Sequence, residues 1–129
     1  MRTSLVASWL VVTFAGGLVV GNAAGQARPR MWTDTVLDVV TKELPRSVRV
    51  RANVNHWDPG SETGRHTHPG PTVFVMLEGE LEEILPDGTT RALRAGQAVW
   101  KPPRTHHNVR NASARPARAL AVHLDPSGE

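Results

Sequence analysis

The stretch GRHTHPGPTVFVMLEG, Gly64 to Gly79, places two histidines one residue apart, then a proline–glycine turn, then an apolar run that ends at a glycine. On an extended chain the side chains at i and i+2 point to the same face. His66 and His68 therefore converge, and two imidazoles on one face can grip one ion. Continuing that spacing past the turn puts Thr72, Phe74 and Met76 on the same side, where they would line a pocket.

Outward from this stretch the chain reads as short strands punctuated by turns. VRVRANVNHW, Val48 to Trp57, alternates between two faces. Val48, Val50, Ala52, Val54 and His56 form one, Arg49, Arg51, Asn53, Asn55 and Trp57 the other. This is the pattern of a half-buried strand, and it sends His56 inward with the valines. TVFVMLEGELEEIL splits into two strands near Glu78 and Gly79. PDGT, Pro86 to Thr89, is a hairpin turn in which Gly88 takes the left-handed conformation. TRALRAG, QAVWKPP and RALAVHL add further strands, the second bringing Trp100 to the pocket wall and the last carrying His123. Glu80, Glu82 and Glu83 read as an exposed strand edge. In TVLDVVTKEL, upstream of Pro45, the apolar spacing fits a short helix or a strand equally.

Six or more short strands at regular spacing make an all-β antiparallel sandwich or barrel. The chain has 129 residues, room for one domain, and its 11 glycines and 10 prolines favour turns over long helices. It has no cysteine, which excludes disulfides, thiolate metal sites and a cysteine nucleophile. Its 15 basic and 12 acidic side chains are interspersed without a basic run, so no nucleic-acid partner is expected.

Residues 1–27 stand apart. Arg2, an apolar run from Leu5 to Val20 and small residues to Ala27 are the three parts of a secretory signal peptide, cleaved after Ala23 or Ala27. The expected organisation is signal and linker over 1–27, an N-terminal segment over 28–47 and a barrel over 48–125. The mature protein is expected to be secreted or periplasmic, with no stable membrane anchor.

Two motifs in register identify the resemblance. Gly60, His66, His68 and Gly79 match the first motif of small single-domain members of the cupin superfamily, and Gly96, Pro102, His107 and Asn111 match the second. The resemblance implies a double-stranded β-helix, or jelly-roll barrel, of two antiparallel sheets, and commonly a homodimer. It also implies a divalent transition metal (iron, zinc, manganese, nickel or copper) on His66, His68 and His107. Two positions depart from the pattern. Arg104 stands where the second motif has a glycine, and Thr72 stands where the first has a metal-binding glutamate. Without that carboxylate, three neutral imidazoles leave the ion its full charge and open positions.

The function implied is dioxygenase- or isomerase-type chemistry on a small organic molecule. The alternative is a non-catalytic cupin that binds a metal or a small ligand. An enzyme needs a titratable group beside the open position, and His123 and His56 are the candidates.

Overall fold

The computed structural model describes residues 28–128. The chain divides into two compact units, Met1–Trp32 and Thr33–Glu129. The expected signal peptide lies outside the described residues. Among these, no helix is long and apolar enough to cross a membrane.

The second unit is all-β. Its strands are β1 (Val48–Trp57), β2 (Thr72–Glu78), β3 (Glu80–Ile84), β4 (Thr90–Arg94), β5 (Ala98–Lys101), β6 (Asn108–Arg110) and β7 (Ala117–Pro126). They form two sheets, ordered β1-β7-β2-β5 and β4-β3-β6, and every pairing is antiparallel. The chain before β2 extends the smaller sheet beyond β6. Thr63 N–H donates to the Val109 carbonyl (2.9 Å), and His66 pairs with His107. The 33–47 stretch takes neither of its two expected forms. It is irregular, and Val40 on it is 100% exposed.

The turns fall where their chemistry puts them. Gly88 has φ +84°, in the left-handed region. Gly79 ends β2 with φ +75°, and a Cβ there would meet the Pro116 carbonyl oxygen at 2.8 Å. Arg104, in the place of the second-motif glycine, adopts φ 54° itself, and its N–H donates to the His68 carbonyl (2.8 Å). Asn111 donates from Nδ2 to the Trp57 and Arg115 carbonyls (3.1 and 2.8 Å), which ties β6 to the end of β1.

Between the sheets, Phe74, Met76, Leu81, Leu93, Val109 and the alanines of β7 make the core. At this end of the barrel period 2 works as expected. On β1 the expected orientation is reversed. Val50, Ala52 and Val54 pair across from Leu124, Val122 and Leu120 on the outer face, where Val50 is 65% and Val54 49% exposed. Arg51, Asn53 and Asn55 face inward, across from His123, Ala121 and Ala119. The inward face of β1 is buried only at its end, where Asn55 and Trp57 line a cavity, while Arg51 and Asn53 on the same face stay exposed.

Candidate metal centre

Three imidazoles from two distant motifs meet at one end of the barrel. His66 and His107 sit opposite one another and exchange both backbone hydrogen bonds, N–H to carbonyl, at 2.9 and 3.0 Å. Directly paired residues present their side chains to the same face. His68, two residues on, joins them. Ligand nitrogens from the three rings lie within 4.8 Å of one another.

Backbone carbonyls orient two of these rings. Nδ1–H of His66 donates to the Gly64 carbonyl (2.9 Å), and Nδ1–H of His107 to the Thr105 carbonyl (3.0 Å). A carbonyl only accepts, so Nδ1 carries the proton and Nε2 keeps its lone pair. The His66 and His68 Nε2 atoms are 3.2 Å apart. Two nitrogens held at roughly 2.1 Å by one ion stand about 3.0 Å apart at a right angle and about 3.4 Å at a tetrahedral one. The donor set and the His66–His68 spacing fit a divalent transition metal. Nitrogens as far as 4.8 Å apart must draw closer to share one ion, which spans at most about 4.2 Å between two donors.

Two of the rings are also kept neutral. Burial, reinforced by His123, His66, His107 and Lys101, pushes His68 down to about 4. Burial and Lys101 lower His107 as well, against the opposing pull of its bond to Thr105. A ligand imidazole must be deprotonated, so no proton competes for the His68 and His107 lone pairs at neutral pH.

Thr72, at the glutamate position of the motif, takes a different partner. Its buried hydroxyl lies 3.0 Å from Nδ1 of His123, directly across the strand pair. The His123 ring stands 4.7 Å from that of His68, centroid to centroid. Burial and Arg51 lower the His123 pKa, partly offset by Asp125. His123 thus occupies the side of the triad where the carboxylate is missing.

The site opens into a cavity of about 500 Å³. Thr72, Phe74 and His123 line it as the sequence suggests. Trp100 does not. The register Thr72–Lys101 turns Val99 and Lys101 inward, and the Trp100 indole N–H donates to Glu43 outside (3.0 Å). Met76 points in but is buried in the core below the cavity. His56 borders the mouth from an exposed position and does not share the inward face.

Sequence reasoning missed the charged pair at the cavity wall. Lys101 and Glu83, 4% and 1% exposed, are joined at 2.6 Å, and Arg91 Nε donates to the other oxygen of Glu83 at 2.6 Å. Burial raises the Glu83 carboxyl, but Lys101 and Arg91 outweigh it and hold it below the usual range. Burial lowers the Lys101 ammonium, and Glu83 offsets part of that. The expected exposed Glu83 is therefore a buried carboxylate, because it shares the inward face of Leu81 on β3. Alternation along LEEI carried that signal.

The pattern of the family described as Cupin domain matches residues 47–123. Over 58 residues the chain is 48% identical to the β-alanine degradation protein BauB of Pseudomonas aeruginosa, covering 43% of this chain and 61% of that one. It is 41% identical over 69 residues to the polyketide synthase CurC of Streptomyces cyaneus, covering 53% and 44%. The chain thus spans less than two thirds of either curated relative. Among solved structures, a cupin domain from Bordetella pertussis superposes with a TM-score of 0.54 at 27% identity, covering 65% of this chain and 88% of that one.

Proposed function

The chain belongs to the cupin family, and on that premise we propose that it holds a divalent transition metal on His66, His68 and His107 and acts on a small organic molecule in the adjoining cavity. The observation that carries this reading is the pinning of two ligand rings through Nδ1, which leaves their Nε2 lone pairs beside His68. When bound, the metal supplies a Lewis acid with open positions for an oxygen-donor substrate, of dioxygenase or isomerase type.

The chain's own groups then divide the work. The triad fixes the ion, and Phe74 with Val109 supplies an apolar wall that excludes polymers and orients a small substrate. His123 exchanges the proton. Thr72 occupies its Nδ1, so Nε2 is the atom left to give or take a proton, and burial keeps the ring neutral and ready to accept. The curated relatives carry names from small-molecule metabolism, which agrees with this substrate class.

The test is metal content of the untagged protein purified from a periplasm, beside the H66A/H68A variant. Near one iron, manganese, nickel or copper per chain, lost in the variant, supports oxygen chemistry. Stoichiometric zinc supports Lewis-acid isomerisation. No metal after reconstitution with each ion overturns the reading. Export is part of the proposal, and the mass of the recovered chain reads cleavage after Ala23 or Ala27. So is the homodimer, which light scattering on the same sample reads.

A further inference from the structure

Lys101 is an expensive residue in this position. A lysine is rarely buried without full compensation, because desolvating an ammonium costs several kcal/mol, on the order of the loss of a whole ion pair. Here the compensation is partial. The ammonium has three N–H donors and bonds to one acceptor, Glu83 Oε1. The Phe74 ring lies under it at 4.4 Å. Glu83 is already matched by Arg91, so the three groups together carry a surplus positive charge, and Lys101 is the member that lines the cavity.

Its place in the sheet puts that surplus beside the triad. Lys101, Thr72, His123 and Arg51 form one transverse row across β5, β2, β7 and β1. Thr72 stands where the motif has its glutamate, and Asp125, whose other oxygen is buried without a partner, is already paired with Arg51 (3.1 Å), so the surplus charge in the row stays on Lys101. Among the described residues lining it, Glu62 is the one acid, on the loop that follows β1, where it accepts from Asn108 (2.9 Å).

A second donor borders the cavity away from that row, six residues along β1 from Arg51. Trp57 is 7% exposed, and its indole N–H has no acceptor. A buried donor left unpaired is destabilising, and a bound acceptor removes that cost. The cavity therefore offers an unmatched positive charge and unclaimed donors beside an apolar wall of Phe74, Val109 and Ala121.

We propose that the cavity recognises a small organic carboxylate, with the Lys101 ammonium as its anchor next to the three-histidine site. The proposal rests on the reading of this cavity as a small-molecule site and names the class of molecule it takes. A carboxylate only accepts hydrogen bonds, which matches the unclaimed donors of the Lys101 ammonium. Lys101 sets specificity here, by its charge, and leaves the chemistry to the triad and its neighbour.

The test compares carboxylates with their neutral amide isosteres. Acetate and benzoate, acetamide and benzamide are titrated into the full chain and followed by NMR, with the Trp57 indole N–H signal as a reporter. Each titration is run after chelation and again with zinc. The expected result is that at least one acid binds tenfold or more tighter than its amide. In the K101M/E83Q variant, which removes both members of the buried pair, that preference falls to less than twofold. Equal affinity of acid and amide in both arms overturns the proposal, as does a preference that survives in the variant. The wild-type comparison stands whether or not the variant folds. A chain that takes up no metal yet prefers acids after chelation sinks the metal reading alone and leaves Lys101 as the anchor.

Discussion

His66 and His107 are bound to each other twice through the backbone before either ring is considered, N–H to carbonyl at 2.9 and 3.0 Å. This short ladder joins the two halves of the triad and fixes the separation of their Cα atoms. The Nδ1 bonds to Gly64 and Thr105 then fix the rings. The backbone and two of the three rings are thus held in place by the chain itself.

Metal removal should therefore leave the fold intact. Far-UV circular dichroism of the chelated protein should superpose on that of the loaded one, unlike a zinc finger, which unfolds without metal. Adding zinc to 100 times its dissociation constant should stabilise the wild type by about 2.7 kcal/mol. His107→Ala should abolish that increment. Loss of secondary structure on chelation would show that the ion, and not the ladder, holds the two motifs together.

Arg104 is strained. A non-glycine residue in the left-handed region costs about 1–2 kcal/mol, and glycine gives back about half to one kcal/mol through its freer unfolded chain. Arg104→Gly should raise stability in urea by about 0.5–1 kcal/mol. Metal stoichiometry should not change, because the N–H that donates to His68 remains.

The Glu83–Lys101 pair should be strongly coupled. Glu83→Gln leaves a buried ammonium without its counter-charge and should cost about 3 kcal/mol, whereas Lys101→Met leaves Glu83 still bonded to Arg91 and should cost about 1–2. The double substitution should cost less than the sum of the two singles, because it removes both charges. Additive costs in a double-mutant cycle would show that the pair does not interact.

Acid should unfold the metal-free chain from two sources. The His68 pKa is about 4 in the folded state, below its ordinary 6.5, and those of His107 and His123 are also lowered. Between those values the unfolded chain binds more protons, so stability falls as pH drops from about 6.5 toward 4. Glu83 adds to this. Its folded pKa is depressed, so its contribution is complete above the ordinary carboxylate range and is lost as pH falls through the folded value. Urea midpoints at pH 7, 5.5 and 4.5 check the slope. His68→Gln should flatten it between the first two, and an unchanged slope would remove His68 as a cause.

How far the sequence carried depends on whether the information was local. The turns at Gly79 and Gly88 and the strand bounds of β1 were legible because period and turn chemistry sit within a few residues. The triad was legible because the i, i+2 spacing of His66 and His68 needs no tertiary knowledge, and the register of the second motif supplied His107. The inward face of β1 was not legible. Alternation separates Val54 from Asn55 but does not say which side faces in. Nor could Trp100 be told from Lys101, since both readings of that strand satisfy period 2 and the register to Thr72 decides. The Thr72–His123 and Glu83–Lys101 bonds lie across strand pairs or between sheets, and neither residue of either bond announces its partner.

The position of β7 between β1 and β2 governs when the larger sheet can close. As the chain emerges from its N-terminal end, β1 has no sheet neighbour until β7 has followed, because β7 is its one strand partner among the described residues. The turn after His68 waits for it too. Gly70 rests so closely on β7 that a Cβ there would lie 2.0 Å from the Leu124 carbonyl oxygen. His123, beside the triad, arrives on the same strand. A chain threaded unfolded across a membrane would therefore complete its site only on the far side.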